Sequence, residues 1–253
     1  MSQNDISLAM RQTDTPPLAM QESVSYLFSL NRDAIVLMKM MDYEAASELF
    51  CNALRMLEAL YVQQGEAVLS SRTLMPRVCH VALNTATTLR ACATYHLYTS
   101  AIALLAPGEK FSAAQQHDLV SMELLVELFS TTLHYNIGLA LHLSAFSSER
   151  NNREFLLNQA LAAYEMAQTE HDCCWDSTHP SIQGLLLAVL NNRGHIYHQY
   201  LDSEMDSCLE AMENLLDQIT YSSKSFPGAL MGFYQNVFHN SSKHSNEHLA
   251  AAA

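Results

Sequence analysis

Ten residues, HDCCWDSTHP from His171 to Pro180, hold two cysteines, two histidines and two aspartates. Thiolate, imidazole and carboxylate are the donors that bind zinc, and an exposed thiolate is a nucleophile. The spacing argues against a metal centre. Structural zinc sites separate paired ligands by roughly two to four residues and bring a second pair from elsewhere. Cys173 and Cys174 are adjacent, which makes it hard for both to reach one ion, and no CxxC occurs in the chain. The expectation is therefore a loop between helices. In it Trp175 packs on helix ends, Asp176, Ser177 or Thr178 caps, and Pro180 opens the next helix. His195 and His198, three apart on helical text with Gln199 beside them, can share a face. No carboxylate stands at the HExxH spacing that would make them a zinc protease site. His134 and His142, eight apart, read as interior or groove histidines.

Enzyme motifs are missing as well. There is no GxSxG, no GxGxxG and no GxxxxGK[ST]; APGEKFS has the lysine without the glycine frame. The expectation is a chain that is not an enzyme and uses no cofactor. The alternative is a metal-binding protein or metal-dependent enzyme built on His171, Cys173, Cys174 and His179, or on the His195/His198 pair. A further alternative is a structural subunit of a larger assembly.

Those residues need a scaffold, and composition indicates which kind. The 253 residues are 49% apolar, enough for a sizeable core, and glycine (7) and proline (6) are scarce. Frequent turns need those two residues, so their scarcity favours helices. The net charge of −13 repels phosphate backbones and anionic lipid, so neither nucleic acid nor membrane is an expected partner. No apolar stretch reads as a membrane span, and the start lacks the basic and apolar runs of a signal peptide. Six cysteines without disulfide-scaffold spacing fit a reduced, intracellular compartment, expected to be the cytoplasm.

Periodicity then sets the elements. Residues 1–20 read as a lead ending in Pro16-Pro17, and 21–240 as one helical domain with a tail at 241–253. Val24, Leu27, Phe28, Ile35, Met38 and Met41 predict one helix. Asp42 offers an N-cap for a second through Ala46, Phe50, Ala53, Leu57 and Leu60. Residues 66–110 interrupt the pattern. YHLYTSAIALLAPG alternates loosely and predicts a small irregular or β insert near 95–106. Ser112 offers a cap for a long helix from Ala113 to Phe146, buried on several sides. SSERNN is a polar turn, and a helix follows to Ala167. Pro180 opens a helix to about Leu201, Ser203 another to Ile219, and PGALMGFYQNVF a last short one.

Three units, near 22–64, 116–168 and 180–221, share a signature. A small residue sits mid-way along a first helix: Ala34, Gly138, Gly194. On the second helix follow Ala46, Phe50 and Ala53; Ala160, Tyr164 and Ala167; Cys208, Met212 and Leu215. Small residues let two helix axes approach, and the large one fills the gap beside them. The pattern resembles the tetratricopeptide repeat, and HP…LNNRGHIY is similar to the variant in kinesin light chains. The second unit carries about ten extra residues between its helices, placed around 147–152. The third lacks the usual alanine and aromatic. The resemblance implies an all-α stack of antiparallel helix pairs, a solenoid whose first helices line a concave groove for a peptide or helix of a partner protein. By position the groove would present Asn31, Arg32, Ile35 and Lys39; Tyr135, Asn136, Leu139 and His142; Asn191, Asn192, His195 and His198. The resemblance places Asn136 and Asn192 where an amide bonds peptide backbone, since an amide both donates and accepts. The competing expectation is that they only cap or solvate their helices. With Arg32, Lys39 and the histidines there, the groove is expected to be less acidic than the outer surface. It would suit a peptide with a few carboxylates, and affinity would rise from pH 7.5 to 6.

Overall fold

The computed structural model describes residues 18–63, 72–74, 76–83, 95, 97–106, 119–147, 150–174, 180–222 and 232–238. Helix α1 (Leu18–Lys39) is followed by α2 (Tyr43–Gln63). Four short strands come next: β1 (Arg72–Leu74), β2 (Arg77–Ala82), β3 (Ser100–Leu105) and β4 (Leu119–Ser121). Helices α3 (Met122–Ser147), α4 (Arg150–Cys174), α5 (Pro180–Tyr200) and α6 (Glu204–Ser222) complete the main body. A short helix α7 covers 232–238. Most described residues are helical. Strands β2 and β3 form one antiparallel pair, Arg77 opposite Leu105 through Ala82 opposite Ser100, and β1 and β4 form another.

The helices pack on one another in chain order, α1 on α2, α2 on α3, α3 on α4, α4 on α5 and α5 on α6, while β3 lies against α1 and α3. The predicted signature sits at the helix contacts. Ala34, Ala46, Phe50, Ala53, Ala160, Tyr164, Ala167 and Met212 are fully buried, and Cys208 and Leu215 nearly so. Gly138 shows why its size matters. A Cβ there would stand 2.7–2.8 Å from the ring carbons of Tyr164.

The first and third helix pairs are joined by the same turn. Met41 and Leu201 have left-handed φ values of 62° and 53°. The next residue is aspartate in each case, and its N–H bonds the carbonyl five residues back: Asp42 to Leu37 and Asp202 to Tyr197, both 3.0 Å. This is the hydrogen-bond pattern of a left-handed helix terminus. The same aspartate then caps the following helix, with Asp42 Oδ1 accepting from Ala45 N–H (3.2 Å) and Asp202 Oδ1 from Glu204 N–H (3.0 Å).

Several expectations are corrected. Helix α3 begins at Met122, later than the expected Ala113; Leu119 belongs to β4, and Ser121 Oγ accepts from Leu124 N–H at 3.1 Å, while Ser112 lies outside the described residues. The polar turn expected at 147–152 is shorter: α3 runs to Ser147 and α4 starts at Arg150, so the two helices are 26 and 25 residues long with two residues between them. Helix α4 continues through His171 and Cys173 to Cys174, so the opening stretch begins as helix rather than loop; no glycine or proline precedes Pro180 to stop it. Residues 175–179 lie outside the described residues, as do 1–17 and 239–253. By length and composition α3 is apolar enough to cross a membrane, contrary to the expectation; 67% of its most apolar window is buried inside the protein. A core helix covered on several sides needs the same composition.

Tyr164 is fully buried and its hydroxyl is bonded, so its ring cannot easily yield. Gly138→Ala is expected to destabilise the fold by about 1–3 kcal/mol as an overpacking change. Urea unfolding with an unchanged slope checks this, and a loss below about 0.5 kcal/mol would contradict the close approach.

Candidate functional site, a clamp for extended backbone

A β-strand turns the N–H and C=O of alternate residues to opposite edges. In β3 and its lead, the odd residues face β2, and Leu83 N–H donates to Thr99 O at 3.2 Å. The even residues face helices, which offer no free backbone edge. Side-chain amides take that place. Ile102 N–H donates to Asn136 Oδ1 (2.9 Å), and Asn136 Nδ2 donates back to Ile102 O (2.8 Å). Tyr98 N–H donates to Asn192 Oδ1 (3.0 Å), and Asn192 Nδ2 to Tyr98 O (3.0 Å). Between them Tyr135 Oη donates to Ser100 O at 2.9 Å. Asn31 Nδ2 adds a longer bond to Ile102 O (3.3 Å), and its Oδ1 accepts from Asn136 Nδ2 (3.0 Å). The strand thus runs across α5, α3 and α1, read at every second residue through its main chain.

All three asparagines are fully buried, as is Tyr135. They do not solvate or cap their helices. Asn191 sits behind Asn192, donating to its Oδ1 at 3.2 Å and accepting from Asn236 of α7 at 2.6 Å. Arg32 and Lys39 are exposed, and Arg32 lies beside Asp33 and Ser29 rather than the strand. The groups bonded to the strand are amides and a phenol, so the expected basic character is not what holds it. Ile35 and Leu139 belong to the core.

The predicted histidines lie behind the clamp. Arg153 Nη2 donates to Gln199 Oε1 (2.7 Å), which fixes the amide so that Gln199 Nε2 faces His195 Nδ1 (3.0 Å). His195 Nδ1 is therefore an acceptor, and His142 Nε2–H, 3.1 Å away, donates to it. His142 Nδ1 then accepts from Tyr164 Oη (3.4 Å), and Tyr164 Oη accepts from Asn192 Nδ2 (3.2 Å). One direction of donation is consistent throughout, and it requires both rings to be neutral. Burial first, then His198 and Arg153, pushes His195 down to about 3. Burial, with His195 and Arg153 adding to it, holds His142 well below the usual histidine range. The expectation of groove histidines that titrate near neutrality is overturned, because these two are sealed inside. His198 is half-buried, its ring centroid 5.6 Å from that of Tyr95.

Tyr95 and Tyr164 were missed as site residues. Tyr95 lies almost wholly buried against Gly194, where any Cβ would collide with its hydroxyl. Tyr98 is gripped at its side chain too, its ring 4.8 Å from Phe233 of α7 and its hydroxyl 2.7 Å from His80 Nδ1. Among the described residues, no three His, Cys, Asp or Glu side chains converge to hold a metal ion; the side chains of His171, Cys173, Cys174 and His179 lie outside that set. No protein-family model, curated protein or solved structure matches the chain.

A histidine kept neutral in the fold but free to charge in the unfolded chain destabilises at low pH. The folded value lies below the unfolded one, so stability is full above about pH 6.5 and falls as pH drops toward 3. From pH 7.5 to 5 the unfolding free energy is expected to fall by about 2 kcal/mol per sealed histidine. His195→Gln should remove roughly half of that fall. Urea titrations at the two pH values check it; a flat profile would contradict neutral, sealed rings.

Proposed function

We propose that this chain is an interaction module of the tetratricopeptide type, a solenoid of helix pairs whose first helices α1, α3 and α5 recognise an extended segment of a protein partner. One observation carries the reading. Asn31, Asn136 and Asn192, one on each first helix, bond the main chain of an extended strand. Main-chain recognition reads conformation rather than sequence, which is the logic of strand addition at a sheet edge. The repeated Met41-Asp42 and Leu201-Asp202 turns and the buried small–large–small positions support a repeat architecture. The face is not catalytic in this reading: its donors are amides and a phenol, and its histidines are neutral and sealed.

An amide is the group this task requires, because it donates and accepts at once. Aspartate has the same shape but cannot donate to a carbonyl and sets a charge against it. The chain's own strand uses the same amides, so the test starts from a chain carrying Ile102→Pro, which has lost its own N–H bond to Asn136. Peptides selected on that chain from a displayed random library are expected to bind at least tenfold more weakly when Asn136→Asp is added, with circular dichroism confirming that both variants are folded. Equal affinity for the two folded variants would place the binding surface elsewhere.

A further inference from the structure

The occupant of the clamp is the chain itself. Residues 97–105 take the place that the interaction reading assigns to a partner, and they show which chemistry fits there. Tyr95 enters a niche that exists because residue 194 has no side chain. Its hydroxyl lies 4.0 Å from Met212 Sδ, and its ring centroid 5.8 Å from that of His195 and 5.6 Å from that of His198. Tyr98 packs against Phe233, the two rings tilted at 38° with centroids 4.8 Å apart. Beyond it, Ala101, Ile102, Ala103 and Leu104 are all buried, so neither face of the strand has room for a charge or its water. An unpaired charge taken into that interior would lose its hydration without a partner to replace it, which is strongly unfavourable.

We infer that Tyr95 together with residues 97–105 is an internal stand-in for a partner segment, and that the partner is an extended, uncharged stretch of protein with an aromatic side chain for the niche opposite Gly194. This rests on the interaction-module reading above. The partner strand runs antiparallel to β2, bonds β2 along one edge and the three asparagines along the other, and binds only as the chain's own strand leaves. Binding is therefore an exchange of one strand for another. The native affinity is set by competition with a tethered occupant whose effective concentration is of millimolar order. The peptide with a few carboxylates expected from Arg32, Lys39 and the histidines does not suit this face, because the strand is held by neutral groups.

The probe is a labelled peptide with the sequence of residues 95–104, YHLYTSAIAL, titrated into the full native chain and into Ile102→Pro. The proline removes the N–H that donates to Asn136, weakening the internal strand while leaving the helices' own groups intact. Binding to Ile102→Pro is expected to be at least tenfold tighter than to the native chain. Replacing the peptide's first tyrosine by alanine, or the alanine corresponding to Ala101 by glutamate, should each cost at least tenfold. Should Ile102→Pro fail to fold, hydrogen exchange on the native chain decides. Millimolar peptide is expected to speed exchange of the Ile102 amide while leaving the centre of α3 unchanged. No binding to folded Ile102→Pro, or no change in Ile102 exchange under millimolar peptide, overturns the inference. Asparagine-dependent peptides that bind equally well without any aromatic would also overturn it, while leaving the interaction-module reading standing.

Discussion

A strand buried among helices must bond two rows of backbone groups, and helices have no backbone to lend. The rest of this structure follows from that constraint. One row of β3 is met by β2. The other is met by amide side chains, which must be buried, must stand on different helices, and must match the two-residue period of the strand. Asn192 and Asn136 take residues 98 and 102 and Tyr135 takes residue 100, so the order of helices along the strand is set by strand geometry. An orphaned buried N–H or C=O costs about 1–3 kcal/mol, against about 0.5–1.5 kcal/mol net from a satisfied bond. That asymmetry makes the asparagines structural requirements and gives the face its preference for extended backbone.

The polar layer behind the clamp has the same character. Asn192 gives one hydrogen to Tyr98 O and another to Tyr164 Oη, so the tyrosine must donate onward to His142, and His142 to His195. The chain of donation ends on one imidazole nitrogen, which also accepts from Gln199. His195 Nε2 is then left as a buried N–H with no hydrogen-bond partner among the described residues. Satisfying the strand therefore loads a cost onto the interior. The small residues matter here as well: Gly138 admits the Tyr164 ring, and Gly194 the Tyr95 hydroxyl, so packing and hydrogen bonding depend on the same two positions.

Much of the scaffold was legible in the sequence. The Asp42 cap, the Pro180 start and the small–large–small positions are local features, and local features survive into the fold. The asparagines were legible by position along each first helix. Their occupant was not, because the bonds from Asn192 to Tyr98 and from Asn31 to Ile102 join residues 94 and 71 apart in the chain. The loose alternation of YTSAIALL predicted an extended segment but not where it lies. His142 was read as an interior or groove residue and is interior, whereas the sealing of His195 was missed: spacing puts both on helix faces, but only packing shows that two such faces meet and exclude water. The start of α3 was misjudged because no proline or glycine stands between Ala113 and Ile137, and periodicity alone does not separate a short strand from a helical turn.

The central claim is that single asparagine side chains hold single residues of the chain's own strand. Residue-resolved amide exchange in the Asn136→Ala and Asn192→Ala chains measures it most directly. The account predicts that Asn136→Ala speeds exchange at Ile102 while Tyr98 stays close to native, and that Asn192→Ala does the reverse. Unchanged protection at both amides, or equal loss at both in either variant, would contradict it.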